Sequence, residues 1–196
     1  MSKRTLFLIF ALFVVTSVLL IMALYKPNLN PQPIPIAPTP KEETAQTVLM
    51  FGDLSTAASS SAAILNYSLP IKITTGKNKI NAIQLEMQYD PLIITNVTVV
   101  PSSFFKNPQI LLDKTDIKTG RISYAFGVGL TDEAAVGNGV IADLNFSAKA
   151  PLSGVKPGIP QQTTIMFLPK TFVIGEGITQ SVLKQALPIQ ITVGKP

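Results

Sequence analysis

The residues able to do chemistry are few. The chain of 196 residues contains no Cys, no His and no Trp. Without Cys there is no disulfide framework, no thiolate metal site and no cysteine nucleophile. Without His the commonest general base and the commonest metal ligand are missing. Carboxylates remain. A glycosidase needs two of them roughly 5–10 Å apart across a cleft. Asp132 and Glu133 are adjacent in a surface loop, and Asp113 and Asp116 flank a turn that contains lysine. Neither context raises a carboxyl pKa, so no catalytic residue is expected and the chain reads as a non-enzyme. Asp113–Gly120 (DKTDIKTG) has the wrong spacing for a calcium loop and two competing lysines. No metal site and no cofactor is expected.

Binding chemistry is the alternative. A sugar platform relies on flat aromatic rings, but Trp is absent and Tyr67, Tyr89 and Tyr124 fall on faces that the pattern buries. Phe104 and Phe105 sit in a loop, either as an exposed contact patch or folded back over the core. The Asn-x-Ser/Thr sequons at Asn66, Asn96 and Asn145 matter only in a host that glycosylates. Basic residues are scattered singly, so no nucleic-acid partner is expected.

The elements that position these residues divide the chain sharply. Hydrophobic residues make up 46% and charged residues only 14%, too apolar for an even distribution. Residues 5–25 (TLFLIFALFVVTSVLLIMALY) carry no charge, Pro or Gly. As a helix this run spans about 32 Å, enough for a bilayer core. Lys3 and Arg4 precede it and favour a cytoplasmic N-terminus for residues 1–4. The expectation is an uncleaved transmembrane signal-anchor at 5–25. A cleaved signal peptide is the rival reading, but the run exceeds the usual apolar region of about 7–15 residues. A pilin-like start would want a Gly and an early Glu, which the run lacks, and no Cys offers a lipoprotein anchor. Anchor and cleaved signal alike export the chain beyond Tyr25.

Residues 26–45 form a linker in which Pro27, Pro31, Pro33, Pro35, Pro38 and Pro40 favour extended polyproline II. Residues 46–196 form one domain of about 150 residues, enough to bury a core. It reads as all-β. Tyr67, Leu69, Ile71 and Ile73 alternate with Ser68, Lys72 and Thr74. Ile83, Leu85, Met87 and Tyr89 alternate with Gln84, Glu86 and Gln88, and Ile122, Tyr124 and Phe126 with Arg121, Ser123 and Ala125. Val140, Ala142, Leu144, Phe146 and Ala148 alternate with Asp143, Asn145 and Ser147, and the last strand sets Leu187, Ile189, Ile191 and Val193 inward. Thr131–Ala135 reads as one capped helical turn. About nine strands joined by short turns make a two-sheet jelly-roll sandwich.

The blocks Ile83–Val100 (IQLEMQYDPLIITNVTVV), Gly120–Gly127 (GRISYAFG) and Gly139–Ala150 (GVIADLNFSAKA), in that order, resemble the cohesin family of cellulosome scaffoldin receptor modules. The resemblance implies a nine-stranded jelly roll. It also implies that one exposed sheet face, with polar side chains of the Tyr-Asp-Pro strand, binds a dockerin module on a partner enzyme. In the best-known cohesins an Asn and an Asp stand seven and five places before that Tyr; here Ala82 and Gln84 hold those places. Gln84, Glu86 and Gln88 face outward and are the candidate binding residues. The expected role is a non-catalytic cell-surface display of a protein-binding module, with its C-terminal domain extracellular and a dockerin-like or other surface partner, in the context of polysaccharide degradation. A membrane-tethered carbohydrate-binding module that takes a glycan, or a structural envelope or adhesion subunit, is the alternative.

Overall fold

The computed structural model describes residues 3–24, 45–57, 65–129, 131–148 and 160–194. The chain divides into two compact units, Met1–Lys41 and Glu42–Pro196. Most of the linker assigned to residues 26–45 lies outside the described residues, as do Lys149 and Ala150.

Among its described residues the first unit contains one helix, α1 (Lys3–Leu24). Phe7, Leu12, Phe13, Val14, Val15, Val18, Leu19 and Leu20 are exposed. The run Leu12–Val15 alone circles the helix, so α1 is apolar on every side rather than along one stripe. Thr16 fits because its hydroxyl donates back to the carbonyls of Leu12 and Phe13, both at 3.0 Å. Among the described residues no helix is long and apolar enough to cross a membrane.

The second unit is an all-β sandwich of two six-stranded sheets. Its strands are β1 (Thr47–Phe51), β2 (Ser55–Ala57), β3 (Asn66–Thr74), β4 (Ile80–Gln88), β5 (Ile94–Pro101), β6 (Gln109–Asp116), β7 (Arg121–Gly127), β8 (Asn138–Ala148), β9 (Gln161–Phe167), β10 (Phe172–Gly175), β11 (Leu183–Ala186) and β12 (Ile189–Val193). The first sheet runs β11-β1-β3-β8-β5 with β2 on β3; the second runs β12-β9-β4-β7-β6 with β10 on β4. All pairings are antiparallel except β1 with β11.

Among the described residues twelve strands replace the nine expected. The additions are β2, β10 and β11, each of three or four residues. Pieces that short hold too few side chains for alternation to show. Thr131–Ala135 is not a helical turn; Ala135 instead exchanges backbone hydrogen bonds with Ile80, at 2.9 and 2.7 Å.

Core residues come from the alternation. Leu49, Leu69, Ile71 and Ile73 of the first sheet and Ile83, Leu85, Met87, Ile122 and Phe126 of the second are buried. Phe51 stacks on Phe167 at 4.5 Å, and Tyr67 on Phe146 at 5.5 Å. The Tyr67 hydroxyl accepts the Gly194 N–H at 2.7 Å, which ties the last strand to the core. In β8 the alternation breaks. Pairing with β3 slips between Ile71 and Lys72, so Ile141 is buried beside Ala142 while Val140 is only half-buried. One extra residue switches the inward face, which is what a bulge does. Leu187, expected inward, is exposed between β11 and β12.

Candidate binding face

Gln84, Glu86 and Gln88 stand on β4 on the side opposite its core residues Ile83, Leu85 and Met87. β4 is central in its sheet, with β7 along one edge and β9 and then β10 along the other. Register therefore builds three cross-strand rows on the outer face. One runs Phe172, Gln84, Ala125, Leu112; another runs Met166, Gln88, Arg121, Asp116. Between them lie Glu86, Ser123 and Lys114.

The expectation that all three candidates are exposed needs correction. Gln84 and Gln88 are half-buried, and Glu86 is only 5% exposed. Glu86 lies mid-sheet, and its neighbours close over it. Its Oε2 accepts from Arg121 Nη2 at 3.0 Å, Arg121 Nε at 3.2 Å and Ser123 Oγ at 2.9 Å. Its Oε1 accepts from Gln84 Nε2 at 3.2 Å. Burial alone would push the carboxyl up. The hydrogen bonds from Ser123, Arg121 and Gln84, with the Arg121 charge, outweigh it and hold the carboxyl below its ordinary value. Gln88 Nε2 donates to the carbonyls of Tyr89 and Thr119, so it braces the strand end.

The main chain at Glu86 is also fully used. Leu168 N–H still donates to the Glu86 carbonyl at 2.7 Å, and the chain then leaves the edge of β4 at residues 169–171. The Thr171 hydroxyl fills the gap, accepting from Glu86 N at 3.2 Å and donating to Glu86 O at 2.9 Å. β10 then resumes the edge. Met166, Phe172 and Ile174 all point outward along it, opposite Gln88, Gln84 and Ala82, and all are exposed. Leu112 is exposed on the far side of the face. The result is a polar, ion-paired centre bordered by apolar side chains.

Other candidates resolve plainly. At Tyr89-Asp90-Pro91 the Asp90 carboxylate accepts the Leu92 N–H at 2.8 Å, and the Asp90 carbonyl accepts from Ile93 and Ile94, closing the turn. Asp113 pairs with Tyr124 and Asp116 with Arg121, on opposite faces of β6, so those carboxylates do not converge. Tyr67, Tyr89 and Tyr124 are buried, and Phe172 is the one exposed aromatic among the described residues of the domain. A single ring is no sugar platform. Phe105 is buried and meets Phe126 edge-on at 5.6 Å, with Phe104 packed against the core, so that loop folds back. The sequon residues Asn66 and Asn96 meet on the first sheet, through Ser147 at 2.8 and 3.4 Å.

The family model of the cohesin domain matches residues 54–193, well over half of the chain. The chain belongs to the cohesin family. No curated protein sequence matches it. Solved cohesins share the fold. The type I Coh-OlpC–Doc435 complex from Clostridium thermocellum aligns at 16% identity and TM-score 0.58, over 79% of this chain and 98% of that one. The third ScaC cohesin of Acetivibrio cellulolyticus, in complex with the ScaB dockerin, aligns at 18% and 0.55, over 76% and 99%. CaCohA2 of Clostridium acetobutylicum aligns at 19% and 0.51, over 75% and 91%. In this cohesin the Tyr-Asp-Pro strand is β4, so the face that the family resemblance singled out is the one centred on Glu86. Sequence reasoning missed Met166, Phe172 and Leu112 as members of it, because only register brings distant strands side by side.

Proposed function

We propose that this cohesin is a non-catalytic receptor module that binds a dockerin-type protein through the outer face of β9, β10, β4, β7 and β6. The observation that carries this reading is the family match joined to that face. It has apolar side chains at its borders and a satisfied polar centre, the composition of a protein-binding patch. Ala82 and Gln84 replace the Asn and Asp of the best-known cohesins, so the contacts that select a partner must come from other residues of the face.

The second part of the proposal is display at the cell surface. It rests on the sequence alone, on the uncharged run of residues 5–25 and the Lys3-Arg4 pair before it. On this reading the proline-rich residues 26–45 space the module from the membrane. The same reading places the chain in polysaccharide breakdown through enzymes that carry the partner module.

The test is a titration of the chain with the dockerin modules of the two complexes, Doc435 and the ScaB dockerin, beside a glycan array. Saturable binding of a dockerin with no glycan signal is expected. A clear glycan signal with no dockerin bound would contradict the proposal.

A further inference from the structure

The pairing of Glu86 with Arg121 is lopsided. The Glu86 side chain is 6% exposed and that of Arg121 is 43% exposed. The anion is sealed under the face while the outer part of the cation meets solvent. Both Arg121 contacts to Glu86 fall on one carboxylate oxygen, and no other described residue accepts from the remaining N–H groups of the guanidinium. Asp116 stands opposite Arg121 in register, yet its Oδ1 accepts from the backbone N–H of Lys118 at 2.9 Å and of Thr119 at 3.4 Å. That oxygen is engaged by its own turn, and among the described residues Asp116 makes no ion pair with Arg121. Lys114, one row away beside Ser123, is exposed and adds positive charge.

From this geometry, and resting on the reading of the face given above, we propose that Arg121 is the specificity-determining contact and that Glu86 is its positioning residue. The partner it selects sets an Asp or Glu carboxylate beside apolar side chains. The apolar side chains seat on Met166, Phe172 and Ile174, and the carboxylate meets Arg121.

Four physical reasons converge. A partner that covers the face also covers the half-exposed guanidinium, whose remaining N–H groups are left unpaired unless the partner supplies an acceptor. Arg121 is already ordered by Glu86 and loses little side-chain freedom on binding. Met166 lies in the same cross-strand row as Arg121, so apolar and ionic contacts fall within one footprint. Arginine is also among the residue types that carry most energy at interfaces.

The experiment is a display selection against the full chain in detergent micelles, using a library built on the Doc435 module with its helix surfaces randomised. Clones that bind wild type are expected to be enriched in Asp or Glu next to Leu, Ile or Val, and that acidic enrichment disappears when the bait is Arg121→Ala. For a selected clone, Arg121→Ala is expected to weaken binding at least tenfold. Glu86→Gln weakens it several-fold and adds nothing in the Arg121→Ala background, a non-additivity that a purely structural role of Glu86 would not give. Circular dichroism of each bait establishes that it is folded, and Arg121→Gln serves as a second variant at that position. Binders without acidic enrichment, or a clone equally tight to both folded Arg121 variants, overturn the inference while the binding face stands. Failure to recover any clone whose binding is blocked by substitutions at Met166 and Phe172 overturns the face itself, and the inference with it.

Discussion

Glu86 holds a negative charge on the outside of a sheet with almost no water around it. Three donor atoms on one oxygen and one on the other replace that water. Because the folded chain lowers this carboxyl below its ordinary value, the linked stability has a definite sign. It is fully present above the ordinary carboxylate range and is lost as the pH falls through the lowered value. Glu86→Gln is expected to cost about 1 kcal/mol at neutral pH, since the partner Arg121 is half in solvent. Melting curves taken between about pH 7 and pH 3 should show the gap between wild type and variant closing at the acid end. A constant gap would contradict the assignment. Tyr124 is the converse case. Its hydroxyl is buried and has no hydrogen-bond partner among the described residues. Tyr124→Phe is therefore expected to leave stability unchanged or to raise it by about 1 kcal/mol, read as a shift in the urea midpoint.

At the scale of elements, β4 and β7 depend on how tightly their ends approach. Tyr89 N–H donates to the Gly120 carbonyl at 2.9 Å. Gly120 has φ +71°, and a Cβ there would lie 2.2 Å from the Tyr89 carbonyl oxygen. Gly120→Ala combines strain with a backbone clash and is expected to cost about 2–3 kcal/mol. Gly137 has φ +113°, but a Cβ there would meet nothing within 4 Å, so Gly137→Ala should cost less. Equal losses for the two in thermal melts would argue against the close approach. The long strands are legible in the sequence because their alternation is unbroken: β3, β4 and β7 bury the residues their period selects. β8 is legible only in part, because its slip against β3 is a property of pairing rather than of composition. β10 is four residues long and leaves no periodic signal, yet it carries two of the apolar residues that border the face. For the same reason the alternation puts Gln84, Glu86 and Gln88 on the correct side of β4 but cannot show the cover over Glu86. Arg121 and Ser123 lie far along the chain, and nothing local says that they close on that carboxylate.

At the scale of the molecule, the unevenness of the composition has a structural counterpart. The apolar excess at the N-terminus forms a helix of 22 residues, and the domain gathers its core from the alternating strands while leaving Met166, Phe172, Ile174 and Leu112 exposed on the face. The proposed topology is checked by protease treatment of intact cells. Release of the domain with a short anchored remnant is expected; protection until lysis would contradict export. The central claim is that the face centred on Glu86 is where a partner module seats. Photo-crosslinking side chains placed singly at Gln88 and Phe172, and at Ser68 and Thr98 on the outer face of the other sheet, test it most directly. With a dockerin module bound, crosslinks are expected from Gln88 and Phe172 and none from Ser68 or Thr98. Crosslinks from Ser68 and Thr98 alone would move the binding site to the opposite sheet and contradict the claim.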